Sequence, residues 1–304
     1  MAEILYPLVH GGCVCIPCET DSHNNLEKAM NDFKVNWATM TPSVARALVP
    51  SRLTTLRILA IGGEAMTQVD VDMWVDQVHL INAYGPAECS VDTAVQPSIS
   101  TESDPSNIGR SVAAVCWIVD PEDLALLRPI GAVGELVVEG PSVALGYLGD
   151  AEKTARSFVE YPDWLCRLRR GKRGRLYRTG DLAQYCPKGD GSLRYMGRKD
   201  NQVKLRGQRI ELGEVEQHLR QCLPAAREVI AEIVRPTDVG AEPLLAAFIL
   251  FSYDGMASAG DLITHVEPSL WAQVESAEAV LRSRVPSYMV PALFLPLDQV
   301  PVTS

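Results

Sequence analysis

The first 96 residues alternate short apolar segments of strand character with segments of helical spacing. The apolar segments lie at residues 37–40, 56–61 and 78–81, and helical patterns occupy the chain between them. Parallel strands need a crossover connection, which is usually a helix, so repeated units of this kind indicate a parallel sheet covered by helices. We therefore predict an α/β fold for this part of the chain.

The pattern changes beyond about residue 96, where short strands alternate with turn residues. This indicates a mainly β region over about 97–199, and residues 201–304 then mix strands with helices. A chain of 304 residues is long enough for more than one domain. We predict part of a parallel-sheet large subdomain over 1–199, including the β region, and a small α+β subdomain over 200–304 that lacks its final segment.

The charge balance limits the classes of partner. The 28 basic and 38 acidic residues give a formal net charge of -10, which argues against general affinity for nucleic acid or for anionic membranes. Residues 167–175 carry six positive charges, but no aromatic side chain among them could stack on a base. We predict an exposed loop there, and neither nucleic acid nor membrane as a partner.

Cysteine usage and the chain start indicate a cytoplasmic protein. Cys13 and Cys15 flank Val14 in a segment with strand character, and Cys18 follows without the second pair that a zinc site needs. We therefore predict buried thiols, which are typical of a reducing compartment. The start lacks the pattern of a signal peptide, and the longest apolar run, 244–251, is too short to span a bilayer.

Glycine and charge occur together at residues 197–216, which read Gly-Arg-Lys-Asp-Asn-Gln-Val-Lys-Leu-Arg-Gly-Gln-Arg-Ile-Glu-Leu-Gly-Glu-Val-Glu. An extended backbone would place Lys204 and Arg206 on one face, between flexible glycine joints. Residues 177–182, Tyr-Arg-Thr-Gly-Asp-Leu, form a second compact motif upstream. Taken alone, the alternating cations could be a solvated strand face, which is the usual result of such a pattern.

These segments resemble the core motifs of nonribosomal peptide synthetase adenylation domains, in the superfamily that also contains acyl-CoA ligases and luciferases. Further matches follow in family order at residues 82–88, 134–136, 146–148 and 285–291. A single short motif would be weak support, whereas several in the same order across most of the chain are specific. The resemblance implies a large and a small subdomain that rotate about a hinge.

The resemblance places the hinge at Asp200, since one loop residue can absorb a large backbone change. It assigns Lys204 to the active site after the rotation, and it assigns Gly207 to the loop that the phosphopantetheine thiol approaches. The implied reaction joins a carboxylate to ATP, releases pyrophosphate, and passes the acyl adenylate to a peptidyl carrier domain as a thioester.

The resemblance also implies an ATP or AMP site. Asn82 and Tyr84 would contact the adenine by a hydrogen bond and by stacking, and Gly85 follows at the carboxyl end of a strand, where open parallel sheets bind ligands. Asp181 and Arg198 would contact the ribose, because a carboxylate accepts two hydrogen bonds from a diol. Without the resemblance, these segments could be a plain turn after a strand and a capping residue beside glycine.

Glu88 would help to hold Mg²⁺, which prefers carboxylate and phosphate oxygens. Ala87 stands where the family usually has threonine, so one side-chain hydroxyl is missing from the nucleotide contact. The implied substrate pocket is mostly apolar, and it suits a small carboxylic acid, either an amino acid or a related acid. Its residues are Ala2, Thr39, Leu59, Ile61, Ala83, Val91 and Asp92.

Two family features are not found in these 304 residues, the phosphate loop with its lysine and the C-terminal catalytic lysine. Loss of one such group commonly costs on the order of a hundred- to a thousandfold in rate. We therefore expect an adenylation domain that is incomplete at both ends and has little activity alone. Two alternatives stay open, an acyl-CoA ligase fragment and a non-catalytic nucleotide-binding or interaction remnant.

Overall fold

The computed structural model describes residues 2–171, 174–200, 202–234, 236, 243–251 and 268–297. The chain divides into two compact units, Met1–Asp200 and Asn201–Ser304. Each unit has its own clusters of buried apolar side chains. Within the described ranges, no helix has both the length and the apolar character that crossing a membrane requires.

The first unit contains three parallel strands in its N-terminal part, which confirms the predicted α/β character. They are β1 (Trp37–Met40), β2 (Ile58–Gly62) and β3 (His79–Tyr84), and β2 lies between the other two. Apolar side chains of β2 pack with those of the neighbouring helices in one core cluster. The helices of this part are α1 (Ala2–Val9), α2 (Glu19–Asn24), α3 (Leu26–Asp32), α4 (Pro42–Arg46) and α5 (Gln68–Trp74), and a short 3-10 helix spans Pro50–Arg52.

Polar caps fix the starts of α4 and α5. The Thr41 hydroxyl accepts a hydrogen bond from the Val44 amide at 3.5 Å. Thr67 and Asp70 form a capping box at the start of α5. Arg46 of α4 donates to both oxygens of the fully buried Asp70, at 2.7 and 2.8 Å. This ion pair ties the two helices together beside the parallel strands.

The β region continues the parallel sheet instead of forming a separate one. The ten strands lie in the order β1-β2-β3-β4-β5-β10-β9-β7-β6, and β8 pairs with β9. All pairings after β3 are antiparallel. The added elements are β4 (Ala94–Gln96), β5 (Asn107–Ser111), β6 (Val115–Val119), β7 (Gly134–Glu139), α6 (Ala151–Ser157), β8 (Phe158–Glu160), α7 (Asp163–Leu168), β9 (Arg175–Tyr185) and β10 (Leu193–Arg198), with a 3-10 helix at Ala87–Cys89.

Two irregularities interrupt the ladders on either side of β9. Between β7 and β9, residues 179–181 lie opposite the single residue Leu136. Between β9 and β10, the register shifts at Met196, and Arg198 then pairs with Asp181. Bulges of this kind re-aim side chains and are frequent beside functional sites. Both irregularities affect the strand that carries Asp181.

The second unit contains two small sheets. One is the hairpin of β11 (Gln202–Leu205) and β12 (Gln208–Glu211). The other has the order β13-β14-β15, in which β13 (Ala226–Val234) and β14 (Leu244–Phe251) are antiparallel and β15 (Leu293–Leu297) is parallel to β14. Two helices, α8 (Leu212–Cys222) and α9 (Pro268–Arg284), and a 3-10 helix at Ser287–Met289 complete the described part of this unit.

The prediction of buried thiols near the start of the chain is wrong. Cys13, Cys15 and Cys18 are exposed, and residues 13–17 form no strand. The segment lies between two glycines and a proline, which lacks a backbone donor, and no described strand pairs with it. Its apolar alternation therefore has no sheet surface on which to pack.

The basic segment 167–175 is only partly a loop, because its arginines anchor it to the β region. Arg169 donates to both oxygens of Glu139, at 2.7 and 2.8 Å, and Arg175 donates to the Leu145 carbonyl at 2.6 Å. Glu139 also accepts hydrogen bonds from Trp117 and Tyr161, each at 2.9 Å. Several of these charges therefore serve internal contacts.

Candidate functional site

Tyr84 lies at the carboxyl end of β3, where the chain turns back at once through Gly85. A Cβ at Gly85 would lie 1.9 Å from the Val91 carbonyl oxygen, so only glycine permits the close return. Val91 has a φ of 77°, which is strained for a β-branched residue. The Thr93 amide then donates to the Tyr84 carbonyl at 2.8 Å. These contacts fix the turn beside the buried Tyr84 ring.

Asp181 projects from the irregular part of β9. The Thr179 hydroxyl donates to the Leu136 carbonyl at 2.7 Å and accepts from the Asp181 amide at 3.0 Å. Gly180 lies between them with a φ of 70°, in the left-handed region that favours glycine. The Thr-Gly-Asp motif therefore has a local structural purpose, which is to hold the carboxylate in one orientation.

The structure brings Tyr84, Asp181 and Arg198 together. The Tyr84 hydroxyl donates to Asp181 Oδ2 at 2.5 Å, and Arg198 Nη1 donates to Asp181 Oδ1 at 3.1 Å. The Asp181 side chain is only 4% exposed. Burial, reinforced by the Asp181 charge, raises the pKa of Tyr84 well above its ordinary value of 10.0, so the hydroxyl stays a donor. Both carboxylate oxygens are therefore occupied by donors of the protein.

Arg198 connects this carboxylate with Asp200. Its Nε and Nη2 atoms donate to the two oxygens of Asp200 at 2.9 and 2.7 Å, while Nη1 also donates to the Thr179 carbonyl at 2.7 Å. Burial alone would lower the pKa of Arg198, but the bonds to Asp200 and Asp181 outweigh it and raise the pKa. The guanidinium thus lies between the predicted ribose ligand and the predicted hinge residue.

Asn82 and Tyr195 support the strand end and the ring of Tyr84. The Asn82 amide donates to the carbonyls of Pro105 and Asn107 at 3.2 and 2.9 Å, so it ties β3 to the chain entering β5. The Tyr195 ring lies 6.3 Å from the Tyr84 ring, in a tilted arrangement. The adenine contacts assigned to Asn82 and Tyr84 stay predictions, since both side chains are engaged within the protein here.

Glu88 is oriented by a tyrosine from the Gly-Tyr-Leu motif. The Tyr147 hydroxyl donates to Glu88 Oε1 at 2.6 Å and lies 3.5 Å from the Tyr177 hydroxyl. Among the residues that the structure describes, no group of three or more His, Cys, Asp or Glu could hold a metal. A single carboxylate still fits Mg²⁺, which commonly takes its other ligands from phosphate and water.

The strand register divides the predicted substrate pocket. Side chains alternate along a strand, so Thr39 and Ala83 face one side of the sheet, and Leu59 and Ile61 face the other. Leu59 and Ile61 are fully buried in the core cluster that includes Trp74. The sequence pattern could not reveal this division, because it depends on which residues pair across strands.

Two further pocket residues, Val91 and Asp92, lie in the return between β3 and β4. Asp92 accepts a hydrogen bond from the Tyr6 hydroxyl at 2.9 Å, and the Tyr6 ring meets Trp37 edge-on at 6.4 Å. Val91 precedes Asp92 in the strained return. Ala2 begins α1, and its side chain lies outside the described residues.

In the second unit, the predicted catalytic residues lie in the β11–β12 hairpin. Lys204 of β11 pairs with Arg209 of β12, and the side chains of both lie outside the described residues. Gly207 occupies the turn with a φ of 74°. Asp200 is the last residue of the first unit.

Sequence reasoning missed four residues in or beside the candidate site. Thr179 and Tyr147 stand inside motifs that were recognised, but their hydroxyl contacts required knowledge of the partner strands. Tyr195 stands just before the glycine-rich segment and could have been found as an aromatic residue on a strand that pairs with Asp181. Lys199 adjoins the predicted hinge, and no pattern distinguished it from an exposed lysine.

Comparison with known proteins identifies the family. The sequence profile of the family described as AMP-binding enzyme matches residues 1–148. Nonribosomal peptide synthetase 1 of Ajellomyces capsulatus is 45% identical over 302 residues, which cover 98% of this chain and 17% of that protein. The chain belongs to the AMP-binding enzyme family. Within it, the chain corresponds to part of an adenylation domain of a nonribosomal peptide synthetase.

Two solved structures of the family share the fold. The Vibrio cholerae adenylation domain AlmE, in complex with glycyl-adenosine-5'-phosphate, matches with a TM-score of 0.76 and 26% identity, over 99% of this chain and 53% of that one. PA1221, a synthetase protein with adenylation and PCP domains, matches with a TM-score of 0.73 and 26% identity, over 99% of this chain and 56% of that one. The chain thus spans about half of each solved chain.

Proposed function

We propose that the chain forms the nucleotide-holding part of a domain that joins an amino acid to the AMP portion of ATP. The observation that carries the proposal is the meeting of Tyr84 and Arg198 at the two oxygens of Asp181. A ribose offers two adjacent hydroxyl donors, and the two oxygens of a carboxylate can accept both. The nucleotide ligand named for AlmE supports this choice.

A ribose must compete for these oxygens with the donors of the protein. Tyr84 holds Oδ2 and Arg198 holds Oδ1, so a bound diol would displace or share at least one of them. The cationic Arg198 would remain close to the ribose and would add favourable charge beside the nucleotide phosphate. Its bonds to Thr179 and Asp200 would keep it in position during the exchange.

The proposed reaction begins when a substrate carboxylate oxygen attacks the α-phosphorus of ATP. A bond forms between that oxygen and phosphorus, and the bond to the bridging oxygen breaks, so pyrophosphate leaves with the electron pair. Mg²⁺, held by Glu88 with phosphate oxygens, would offset the charge of the phosphates. The role of Tyr147 would be to keep Glu88 oriented.

The second step would transfer the acyl group to the phosphopantetheine thiol of a carrier domain. The pairing of adenylation and PCP domains in PA1221 supports this partner. We assign Asp200 as the hinge, Lys204 as the catalytic cation and Gly207 as the loop position near the thiol. For the substrate pocket we propose seven residues, in which Asp92 with Tyr6 supplies the polar end. They are Ala2, Thr39, Leu59, Ile61, Ala83, Val91 and Asp92.

Calorimetric titration of AMP into the chain tests the nucleotide site. We expect the Asp181→Asn variant to bind AMP at least about tenfold more weakly, because it loses a charge-assisted acceptor. The matched control is Asp76→Asn, at an exposed aspartate in the turn after α5, which should bind like the wild type. Equal affinity of all three proteins for AMP would overturn the proposal.

A panel of non-hydrolysable acyl-adenylate analogues tests the substrate class without requiring turnover. We expect an aminoacyl analogue to bind more tightly than AMP, since it adds pocket contacts to the nucleotide contacts. An aryl analogue that binds more tightly than every aminoacyl analogue would contradict the amino acid assignment. The Asp92→Ala substitution should reduce the difference in affinity between the preferred analogue and AMP.

A further inference from the structure

Two adjacent cations near the end of the first unit, Arg198 and Lys199, contact different carboxylates. Arg198 reaches Asp181 at 3.1 Å, as described above. The next residue, Lys199, reaches towards Glu135, at the start of β7, with its Nζ atom 3.8 Å from Glu135 Oε2. Because adjacent residues are held by separate acidic partners, the backbone entering Asp200 is fixed by two independent contacts.

Glu135 is a buried carboxylate with a strong primary partner. Its side chain is 2% exposed, and Arg178 of β9 donates to it through Nε at 3.1 Å and through Nη2 at 2.5 Å. A buried carboxylate needs such compensation, since burial of an unpaired charge is costly. The bond to Glu135 raises the pKa of Arg178 above its ordinary value. The Glu135–Arg178 pair is therefore a fixed platform on the large unit.

Lys199 joins this platform through several acceptors. Besides Glu135, its ammonium lies 3.1 Å from Glu122 Oε1 and donates to the Pro121 carbonyl oxygen. Arg178 donates to the same Pro121 carbonyl at 3.2 Å, so both cations share two acceptors. The Lys199 amide also donates to the Gly180 carbonyl at 2.9 Å. Side chain and backbone of Lys199 are thus both held.

We propose that Glu135, Arg178 and Lys199 form an anchor that fixes the backbone directly before Asp200, which makes Lys199 a positioning residue for the joint between the units. We name these three residues the Glu135 anchor. The proposal rests on the hinge role of Asp200 proposed above. With residues 198 and 199 held, a rotation about the joint is confined to Asp200 and the chain that follows it.

The adjacent cations Arg198 and Lys199 have different roles in this proposal. Arg198 contacts Asp181, so a nucleotide that occupies Asp181 would disturb its contacts. The Lys199 side chain binds Glu135, Glu122 and the Pro121 carbonyl instead, and it would retain these partners. The anchor therefore keeps the joint in place while the ribose contacts are rearranged.

Hydrogen–deuterium exchange without nucleotide tests the anchor. In the Lys199→Met variant, we expect peptides covering residues 193–200 to exchange about tenfold faster, because a charge-assisted contact that opposes local opening is lost. Lys199→Arg should restore slow exchange, since arginine can reach the same acceptors. The control is Lys188→Gln, at an exposed lysine in the turn between β9 and β10, and it should exchange like the wild type.

Lys199→Met should fold, because Arg178 still pairs with Glu135. Unchanged exchange of residues 193–200 in this variant would overturn the proposal. Faster exchange throughout β1–β3 together with a lower unfolding midpoint would also overturn it, since Lys199 would then act on general stability. Nucleotide is absent from the experiment, so failure of the anchor is distinguishable from failure of the proposed AMP site.

Discussion

Removal of the Tyr84 hydroxyl should have opposite effects on stability and on AMP binding. The bond to Asp181 is 2.5 Å long and buried. Hydrogen bonds to charged groups contribute about 1.5–3 kcal/mol, so Tyr84→Phe should lower the free energy of unfolding by about that amount. The hydroxyl also competes with the ribose for Oδ2. Its removal should therefore raise AMP affinity by up to about tenfold, which corresponds to roughly 1.4 kcal/mol.

The assay combines urea unfolding with calorimetric titration of AMP. Tyr185→Phe is the matched control, because the Tyr185 hydroxyl donates to the Cys116 carbonyl at 2.6 Å in the same unit and not to a carboxylate. It should lower stability by about 0.5–1.5 kcal/mol and leave AMP affinity unchanged. Weaker AMP binding by Tyr84→Phe would refute the competition between the hydroxyl and the ribose.

Three further predictions concern the framework. Arg46→Met leaves the fully buried Asp70 without its two arginine bonds and should cost about 3 kcal/mol in urea unfolding, whereas Arg57→Met should change stability by less than about 0.5 kcal/mol. Burial alone would raise the pKa of Glu139, but hydrogen bonds from Arg169, Trp117 and Tyr161 outweigh burial and lower that pKa. Its stabilisation is therefore present above the unfolded pKa of about 4.3 and lost as pH falls through the lower folded value. Between pH 7 and pH 3, the urea midpoint of the wild type should fall more than that of Glu139→Gln. An equal fall of the midpoint in both proteins would contradict this. Burial raises the pKa of Cys89 to about 12 and that of Cys116 to about 11. Iodoacetamide at pH 8 should label Cys13, Cys15 and Cys18 first, and early labelling of Cys89 would contradict the structure.

Local sequence patterns predicted the secondary-structure elements that are specified by their own residues. The strand at Trp37–Met40 follows from the apolar segment there, and it is present. The exposed Cys13 and Cys15 show the limit of this reasoning. Alternation predicts a strand only where a neighbouring strand can pair with it, and sequence alone does not specify that neighbour.

The candidate site was predictable in its residues but not in its contacts. Family motifs pointed to Tyr84, Asp181 and Arg198, which the structure brings together. The bulge that aims Asp181 depends on the pairing of β9 with β7, which lie about 40 residues apart in sequence. The division of Thr39 from Leu59 and Ile61 likewise depends on cross-strand register. Long-range pairing is therefore the information that a motif lacks.

The most direct measurement compares the Kd of AMP with that of 2',3'-dideoxy-AMP, for the wild type and for Asp181→Asn. If Asp181 accepts the ribose hydroxyls, the wild type should bind AMP about tenfold or more tightly than the dideoxy analogue, and the substitution should remove most of that difference. A preference for AMP that is as large in Asp181→Asn as in the wild type would contradict a ribose site at Tyr84, Asp181 and Arg198.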